Sequence, residues 1–494
     1  MVRVGLARTA PHYRGLAPPF GPGKAFPELA SLLGDAALDG APNHVYAAVR
    51  EALRALGLDA DRFDTPDWNP LGELVARGGT VVLKPNFIRH WNPNRQEGAS
   101  VESLVTHGSL LRAAADYALL AVGVEGRVVL AEAPQHDCDW EQVARVVGLP
   151  ALVDFYVRTV GAELAVVDLR REAVTYEGAV IASRTPLPGD PLGYRLVDLG
   201  LRSAFTGSGL DPSRFRGADY DPGPTSAHHT GGRNEYLLSE TVLRADLVVN
   251  LPKLKTHKKT GVTLALKNLV GINGDKNLLP HHCVGAEDEG GDEFPGTSPL
   301  DRARSRATEV ARRWLASGRL TRLVRWVRRT ENALRGDDFI RSGNWYGNRT
   351  TWRMCHDLNR CFYYSDAERQ HFDAPAPVRR ALTLMDGVVA GEGEGPLAPR
   401  DVPLGAVLAA TDPLALDLVA VRLMGFDWRA IPKIREALAG DVLRVTEVRD
   451  PADVEVWEAA AASPQARPLS EIRCERAFAP HPGWRHHIEE ANAE

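Results

Sequence analysis

Six lysines and one histidine stand between Asn250 and Asn277, in the stretch NLPKLKTHKKTGVTLALKNLVGINGDKN. The residues around them read as a buried strand followed by a buried helix, and a cation beside apolar sequence is costly unless something negative meets it. Asp246 to Leu251 is the expected strand, which Pro252 ends because it cannot continue a central one. Thr260 and Gly261 open the expected helix, with Thr260 as its cap. On that helix Thr260, Thr263, Lys267 and Gly271 recur at intervals of three and four and share one stripe. A lysine one turn above a helix N-terminus, with threonine hydroxyls and free backbone amides beneath it, describes an anion site. His257 lies ten residues before Lys267 in the loop feeding the helix. It is the candidate general acid or base, because an unperturbed imidazole titrates at about pH 6.5. The same stripe also describes the wet face of an amphipathic helix.

Other strand ends carry similar chemistry. VVLKPNF places Lys84 and Asn86 just past a strand, and VVLAEAPQHDC does the same for Glu132 and His136. With Lys255, Thr260, Thr263 and Asn268, Lys84 and Asn86 form the candidate anion-binding set; His257, Lys267 and His282 form the candidate catalytic set. LTLMDGVVAGEGEGP puts Asp386, Glu392 and Glu394 around glycines at 387, 391, 393 and 395. Glycines in that pattern resemble a phosphate cradle, but carboxylates repel phosphate, so oxygen coordination of a divalent metal or bonding to hydroxyls fits better. A capped turn with solvated carboxylates is the plainer alternative. His228–His229 and His281–His282 are adjacent pairs, so at most one member of each serves a given site. There is no HExxH motif and no G-x-S-x-G nucleophile elbow.

These residues must be positioned by alternating strands and helices. VRVGLAR (2–8), GTVVLKPNF (79–87), GRVVLAEAP (126–134) and ADLVVNLPKLKTH (245–257) read as strands; 43–57 and the second half of 102–123 have helical spacing. That alternation predicts an α/β fold, with ligands beyond the carboxyl ends of the strands. The expected architecture is two lobes with mainly parallel sheets flanked by helices, an inter-lobe cleft and a long helical and loop insertion. Its segments are 1–275, an insertion at 276–375, a second α/β lobe at 376–450 ending in a strand at 442–448, and a surface tail at 451–494. Within the insertion, residues 302–329 hold ten arginines against one acid, Glu309. They read as a helix with outward arginines, open also to an acidic partner, anionic lipid or a phosphorylated substrate.

Composition narrows the classes. The chain has 494 residues, 44% hydrophobic and 25% charged, with a formal net charge of −5. Nothing in that balance draws it towards nucleic acid. The start, MVRVGLARTA, lacks the features of a signal peptide, and no apolar run is long enough to span a bilayer. Five scattered cysteines without a CxxC pair signal neither an iron–sulfur cluster nor a zinc ribbon. An odd cysteine count fits a reducing cytoplasm, so the expected location is cytoplasmic.

LPKLKTHKKTGVTLALKNLVG, GDKNLLPHH, SGNWYGNRTTWRMCHDLNRCFYYSD and DGVVAGEGEGP with TDPLALDLVAVRLMGFD, in this order, resemble the bacterial and archaeal family of domain of unknown function 362. The resemblance runs from about residue 80 to about residue 435. Some members of that family carry ferredoxin-type clusters, whose cysteines this chain lacks. A more distant, pattern-level likeness is to the lactate racemase superfamily, whose best-known member uses a nickel-pincer nucleotide. It would align His257 and Lys267, with His281 or His282 as a later histidine. That likeness implies a metal ligand and acid/base role for the histidines and a cofactor-holding role for the lysine. VTLAL replaces the glycine-rich surroundings of the racemase lysine.

The resulting expectation is a cytosolic enzyme acting on an anionic small metabolite: a phosphorylated or carboxylated sugar, a nucleotide or a specialised-metabolism intermediate. His-assisted proton transfer, lyase or group-transfer chemistry all suit the residues, with a divalent metal as the candidate cofactor. The alternatives are a non-catalytic metal- or cofactor-binding or maturation protein, and an envelope-associated scaffold using the arginine-rich helix on anionic lipid.

Overall fold

The apolar β-branched runs at 2–8, 80–84, 127–132 and 247–250 become strands of one sheet. Its eleven strands are β1 (Val2–Arg8), β2 (Thr80–Lys84), β3 (Arg127–Glu132), β4 (Leu164–Asp168), β5 (Leu247–Asn250), β6 (Lys253–His257), β7 (Gly261–Val262), β8 (Ala381–Glu394), β9 (Ala398–Ala410), β10 (Val454–Glu458) and β11 (Gln465–Pro468). The computed structural model describes residues 1–94, 100–177, 180–219, 221–296, 298–316 and 342–490.

The strand order is β11-β10-β1-β9-β8-β5-β2-β3-β4, with β6 continuing along β8 beyond the end of β5 and β7 pairing with β6. β4, β3, β2, β5, β6 and β8 run parallel; β9 runs against its neighbours β8 and β1. The α/β class is as expected. The segments expected as two lobes share this sheet, because β5 hydrogen-bonds β8 directly, Val248 opposite Ala381 and Asn250 opposite Thr383.

Side chains on a strand alternate between faces, and the core divides accordingly. Val81, Leu83, Val128, Leu130, Leu247 and Val249 face one layer, with helices α1 (His44–Leu56) and α2 (Gly108–Val122). Val82, Val129, Ala131 and Val248 face the other, towards α5 (Thr351–Tyr363). Further along that second side, α3 (Leu264–Asn268) and α6 (Pro413–Met424) pack over Val4, Leu6, Met385 and Leu408. Local signals end the helices where expected: Asn43 Oδ1 accepts from Val45 N and Tyr46 N at the start of α1, and Gly57 at φ 89° ends it. α4 (Pro299–Ala316) carries the start of the arginine-rich stretch, whose residues 317–329 lie outside those described.

Four local expectations differ from the structure. Pro252 does not take the chain out of the sheet; the strand breaks at Leu251–Pro252 and resumes as β6 along the same neighbour, Lys253 opposite Asp386. The glycine-rich run at 387–393 is not a turn but the second half of β8, paired residue by residue with β9. Residues 442–448 form no strand. The stretch after 450 supplies β10, parallel to β1, and buries Phe478, Trp484 and Ile488.

Candidate functional site

Lys84 is the last residue of β2 and Glu132 the last of β3, so both project beyond the carboxyl ends of parallel strands, where α/β sheets hold ligands. β6, α3 and the loops at 217–218, 276–282 and 396–397 close over them. The half-open cavity, about 340 Å³, is lined by Lys84, Asn86, Glu132, Lys255, His257, Thr263, Lys267, Asn268 and His282, among others. Eight of the nine predicted catalytic and anion-binding residues therefore meet in one place.

The ninth, Thr260, does not. The helix starts one turn later than its sequence suggests: Gly261–Val262 is a strand paired with Thr256 and His257, and α3 begins at Leu264, which has φ 54°. Thr260 Oγ1 donates to Val262 O at 3.0 Å, and the residue is 1% exposed. The free amides expected beneath Lys267 are also taken. Asp417 of α6 accepts from Ala265 N (2.6 Å) and Leu266 N (3.2 Å), and Lys433 Nζ stands 3.7 Å from the same carboxylate. A carboxylate from the core thus satisfies this helix end, and the cations in the cavity come from side chains alone.

The cavity is a concentration of lysine. The chain contains nine lysines among its 59 basic residues. Six of them, Lys84, Lys255, Lys258, Lys259, Lys267 and Lys276, line this cavity, with Glu132 as the carboxylate among its lining residues. Lys84 Nζ donates to Glu132 Oε2 at 2.6 Å and to Pro85 O at 2.7 Å. Lys255 Nζ donates to Leu104 O, Lys259 Nζ to Ser342 O, and Lys276 Nζ to Ala133 O. Lys267 Nζ, on α3, makes no hydrogen bond or ion pair with the described residues; Cys355 and Glu132 are the groups that favour its charged form.

Burial acts on Lys84, Lys255, Lys267, Lys276 and Glu132, because removing a charge from water disfavours the charged form. It lowers Lys267 and Lys84, the latter against the pull of Glu132, and raises Glu132 against the pull of Lys84. It holds Lys255 well below the ordinary lysine range, with Lys253 and Lys267 adding to the shift. Lys276 falls to about 7, burial outweighing Glu132.

His257 does not titrate near neutrality as expected. Burial and then Lys267, Lys433, Lys258 and Lys259 hold it well below the usual imidazole range. Its Nδ1 accepts from Lys259 N at 3.1 Å, so the neutral ring carries its proton on Nε2. His281, not in the candidate set, also lines the cavity. Its Nδ1 lies 2.8 Å from Leu279 O, which can only accept, so Nδ1 is protonated and Nε2 is the bare nitrogen. Burial and neighbouring lysines lower it to about 3. His282 lies beside it on the short strand His282–Cys283, 3% exposed. His136 completes the rim, its Nε2 2.6 Å from Tyr176 Oη, and burial lowers it to about 4. His228 pairs with Glu235, and His229 packs beneath Leu278; neither reaches the cavity.

Asparagines hold the frame. Asn86 Nδ2 donates to Asn268 Oδ1 (2.8 Å), and Asn268 Nδ2 donates to Asn250 Oδ1 (2.8 Å), tying the ends of β2, β5 and α3 together. Gly271 follows α3 at the point of closest approach. A Cβ there would stand 1.9 Å from Glu132 Oε1 and 2.6 Å from Lys84 Nζ.

The three carboxylates expected to bind a metal are placed elsewhere. Asp386 is fully buried, 2.9 Å from Lys253 Nζ, and accepts from Tyr13 Oη and His107 N. Glu392 is held by Arg400, Arg476 and the amide of Ala479. Glu394 ends β8, and none of the three lines the cavity. Among the described residues no group of three or more His, Cys, Asp or Glu is arranged to hold a metal ion, and no helix is long and apolar enough to cross a membrane.

No curated protein and no solved structure is significantly similar to this chain. The likeness to the lactate racemase superfamily thus rests on the spacing of His257 and Lys267 alone. A family model does match, described as Domain of unknown function (DUF362), over residues 164–422. That span holds β6, α3 and both cavity-lining histidines next to Cys283; Lys84 and Glu132 precede it. Covering more than half of the sequence, the match shows that the chain belongs to the DUF362 family.

Proposed function

We propose that this protein is an enzyme that holds a small anionic metabolite, phosphorylated or carboxylated, against the lysine cluster and moves protons on it with His257 and His281. The observation that carries this reading is the make-up of the cavity: Lys84, Lys255, Lys267 and Lys276 line it with Glu132, and Lys267 Nζ has no direct partner among the described residues. Buried ions without compensation cost several kcal/mol each, and an anionic ligand removes that cost. The cavity volume, about 340 Å³, suits a small metabolite, since small-molecule sites run from roughly 300 to 1,000 Å³. Phe87, Ile88, Val270 and Leu279 form an apolar wall for the organic part of the ligand.

The two imidazoles complement each other. Nε2–H of neutral His257 donates to an oxygen that gains charge, and bare Nε2 of His281 accepts a proton. A bound anion raises both rings towards the range useful for transfer, by opposing the lysine field that depresses them. Asp386, Glu392 and Glu394 have no role in this reading.

Calorimetric titration with inorganic pyrophosphate and with citrate tests it. Binding is expected in the wild type and weakens at least tenfold, about 1.4 kcal/mol, in Lys267→Met. That variant strands no partner, so its fold is expected to be unchanged by circular dichroism. A folded wild type that binds neither anion, or a Lys267→Met protein that binds both as tightly, removes the reading.

A further inference from the structure

The buried lysines fall into two kinds. Lys84, Lys253 and Lys433 each face a carboxylate: Glu132 at 2.6 Å, Asp386 at 2.9 Å and Asp417 at 3.7 Å. Lys255 has none. It is fully buried, lines the cavity, and donates its one hydrogen bond to a neutral carbonyl, Leu104 O. Lys253 and Lys267 oppose its charged form, and the opposing pull of Glu132 is smaller than either. Burial and those two lysines hold the amine well below the ordinary lysine range, which favours its uncharged form. The bond to Leu104 uses an N–H, so the nitrogen lone pair remains available. Arginine, which cannot be deprotonated, is the basic residue this chain uses almost everywhere else.

We propose that Lys255 is an imine-forming lysine and that the cavity takes an anionic carbonyl compound, an aldehydo- or keto-acid or its phosphate ester. This rests on the anion-binding reading and names the substrate class for it. The neutral Nζ attacks the carbonyl carbon, a C–N bond forms, and the carbonyl oxygen takes up a proton. The carbinolamine then loses its hydroxyl as water, with the nitrogen proton, leaving the imine. Amine and carbonyl give imine and one water, with no change of oxidation state. Lys267 holds the anionic group, which the imine brings close to His257 and His281 for proton transfer at the carbon next to it.

The test uses the full chain with glyoxylate, the smallest anionic aldehyde, and cyanoborohydride at pH 7, followed by peptide mass spectrometry. Nine lysines make the map simple, and exposed Lys24 is the internal reference. The expected result is reductive alkylation of Lys255 at least tenfold faster than of Lys24, slowed at least tenfold by saturating inorganic phosphate. In Lys255→Arg the adduct is expected to vanish. The wild-type rate against pH is a second readout that needs no variant: it levels off well below the pH at which Lys24 labelling levels off. Labelling no faster at Lys255 than at Lys24 overturns the proposal. If phosphate still binds in that case, the imine alone falls; if phosphate does not bind, the anion pocket falls with it.

Discussion

Lys253 and Lys255 lie two residues apart on β6, both fully buried, and their surroundings are opposite. Lys253 Nζ sits between the Asp386 carboxylate and Tyr13 Oη, and the Tyr13 ring stacks on His107 at 3.8 Å. The lysine and the carboxylate there neutralise each other, and Lys253 does not line the lysine-rich cavity. Lys255 has no facing carboxylate among the described residues, Lys253 and Lys267 act against its charge more than Glu132 supports it, and it lines the cavity. The first arrangement fastens β6 to β8 and to the N-terminal segment. The second leaves positive potential for something from outside the chain. The register of β6 on β8 shifts between the two lysines, so that Lys253 lies opposite Asp386 and Lys255 opposite Gly391.

Methionine in place of each lysine breaks the comparison if the two respond alike. Lys253→Met strands Asp386 as a buried unpaired carboxylate, which costs about 3–5 kcal/mol, read as a lower midpoint in urea denaturation. Lys255→Met removes a buried amine without stranding an acid. Apolar replacement of such a group is neutral or stabilising by roughly 1 kcal/mol, while glyoxylate labelling and anion binding weaken. A loss of 3 kcal/mol or more in Lys255→Met would make Lys255 a structural lysine like its neighbour.

Gly271→Ala sharpens the boundary between the two regions. The new methyl collides with Glu132 Oε1 rather than with the core behind it. Overpacking of this kind costs about 1–3 kcal/mol, and here it must displace the Lys84–Glu132 pair. The expected outcome is a modest loss of stability together with a several-fold weaker affinity for pyrophosphate. Unchanged affinity would show that the pair does not shape the anion site.

Much of this was legible in the residues. Strand ends carrying Lys84, Asn86 and Glu132 were visible because parallel strands are apolar runs that stop abruptly at polar residues. Two things were not. The helix start at Leu264 depends on Asp417, more than 150 positions away, so local capping rules placed it at Thr260 instead. The long strand β8 defied turn chemistry, since its glycines lie in a strand held between β6 and β9, where Gly391 leaves room for the Lys255 side chain. His281 entered the sequence reading only as an alternative to His282, yet both line the cavity, and only the bond to Leu279 O shows which nitrogen of His281 is bare. The count of nine lysines, six of them in this cavity, is the signal in the sequence that would have found Lys258, Lys259 and Lys276 as well.

The smallest predicted effect concerns protons. Lys276 Nζ, 2.7 Å from Ala133 O, is held at about 7 in the empty cavity. The charged groups facing it are Glu132, which favours its cationic form, and Lys84, Lys267 and Arg170, which oppose it. An anion in the cavity adds a second favourable term and raises the lysine, so above pH 7 binding takes up a proton. The sign follows directly: affinity is level below about pH 7 and falls as pH rises, by at most tenfold per unit for one proton. At pH 8 the heat of binding therefore depends on the ionisation enthalpy of the buffer, and Lys276→Arg, which stays charged, flattens both dependences. If affinity instead rose from pH 7 to 8, the ligand's own ionisation would govern binding, and Lys276 would belong with Lys253 as part of the frame.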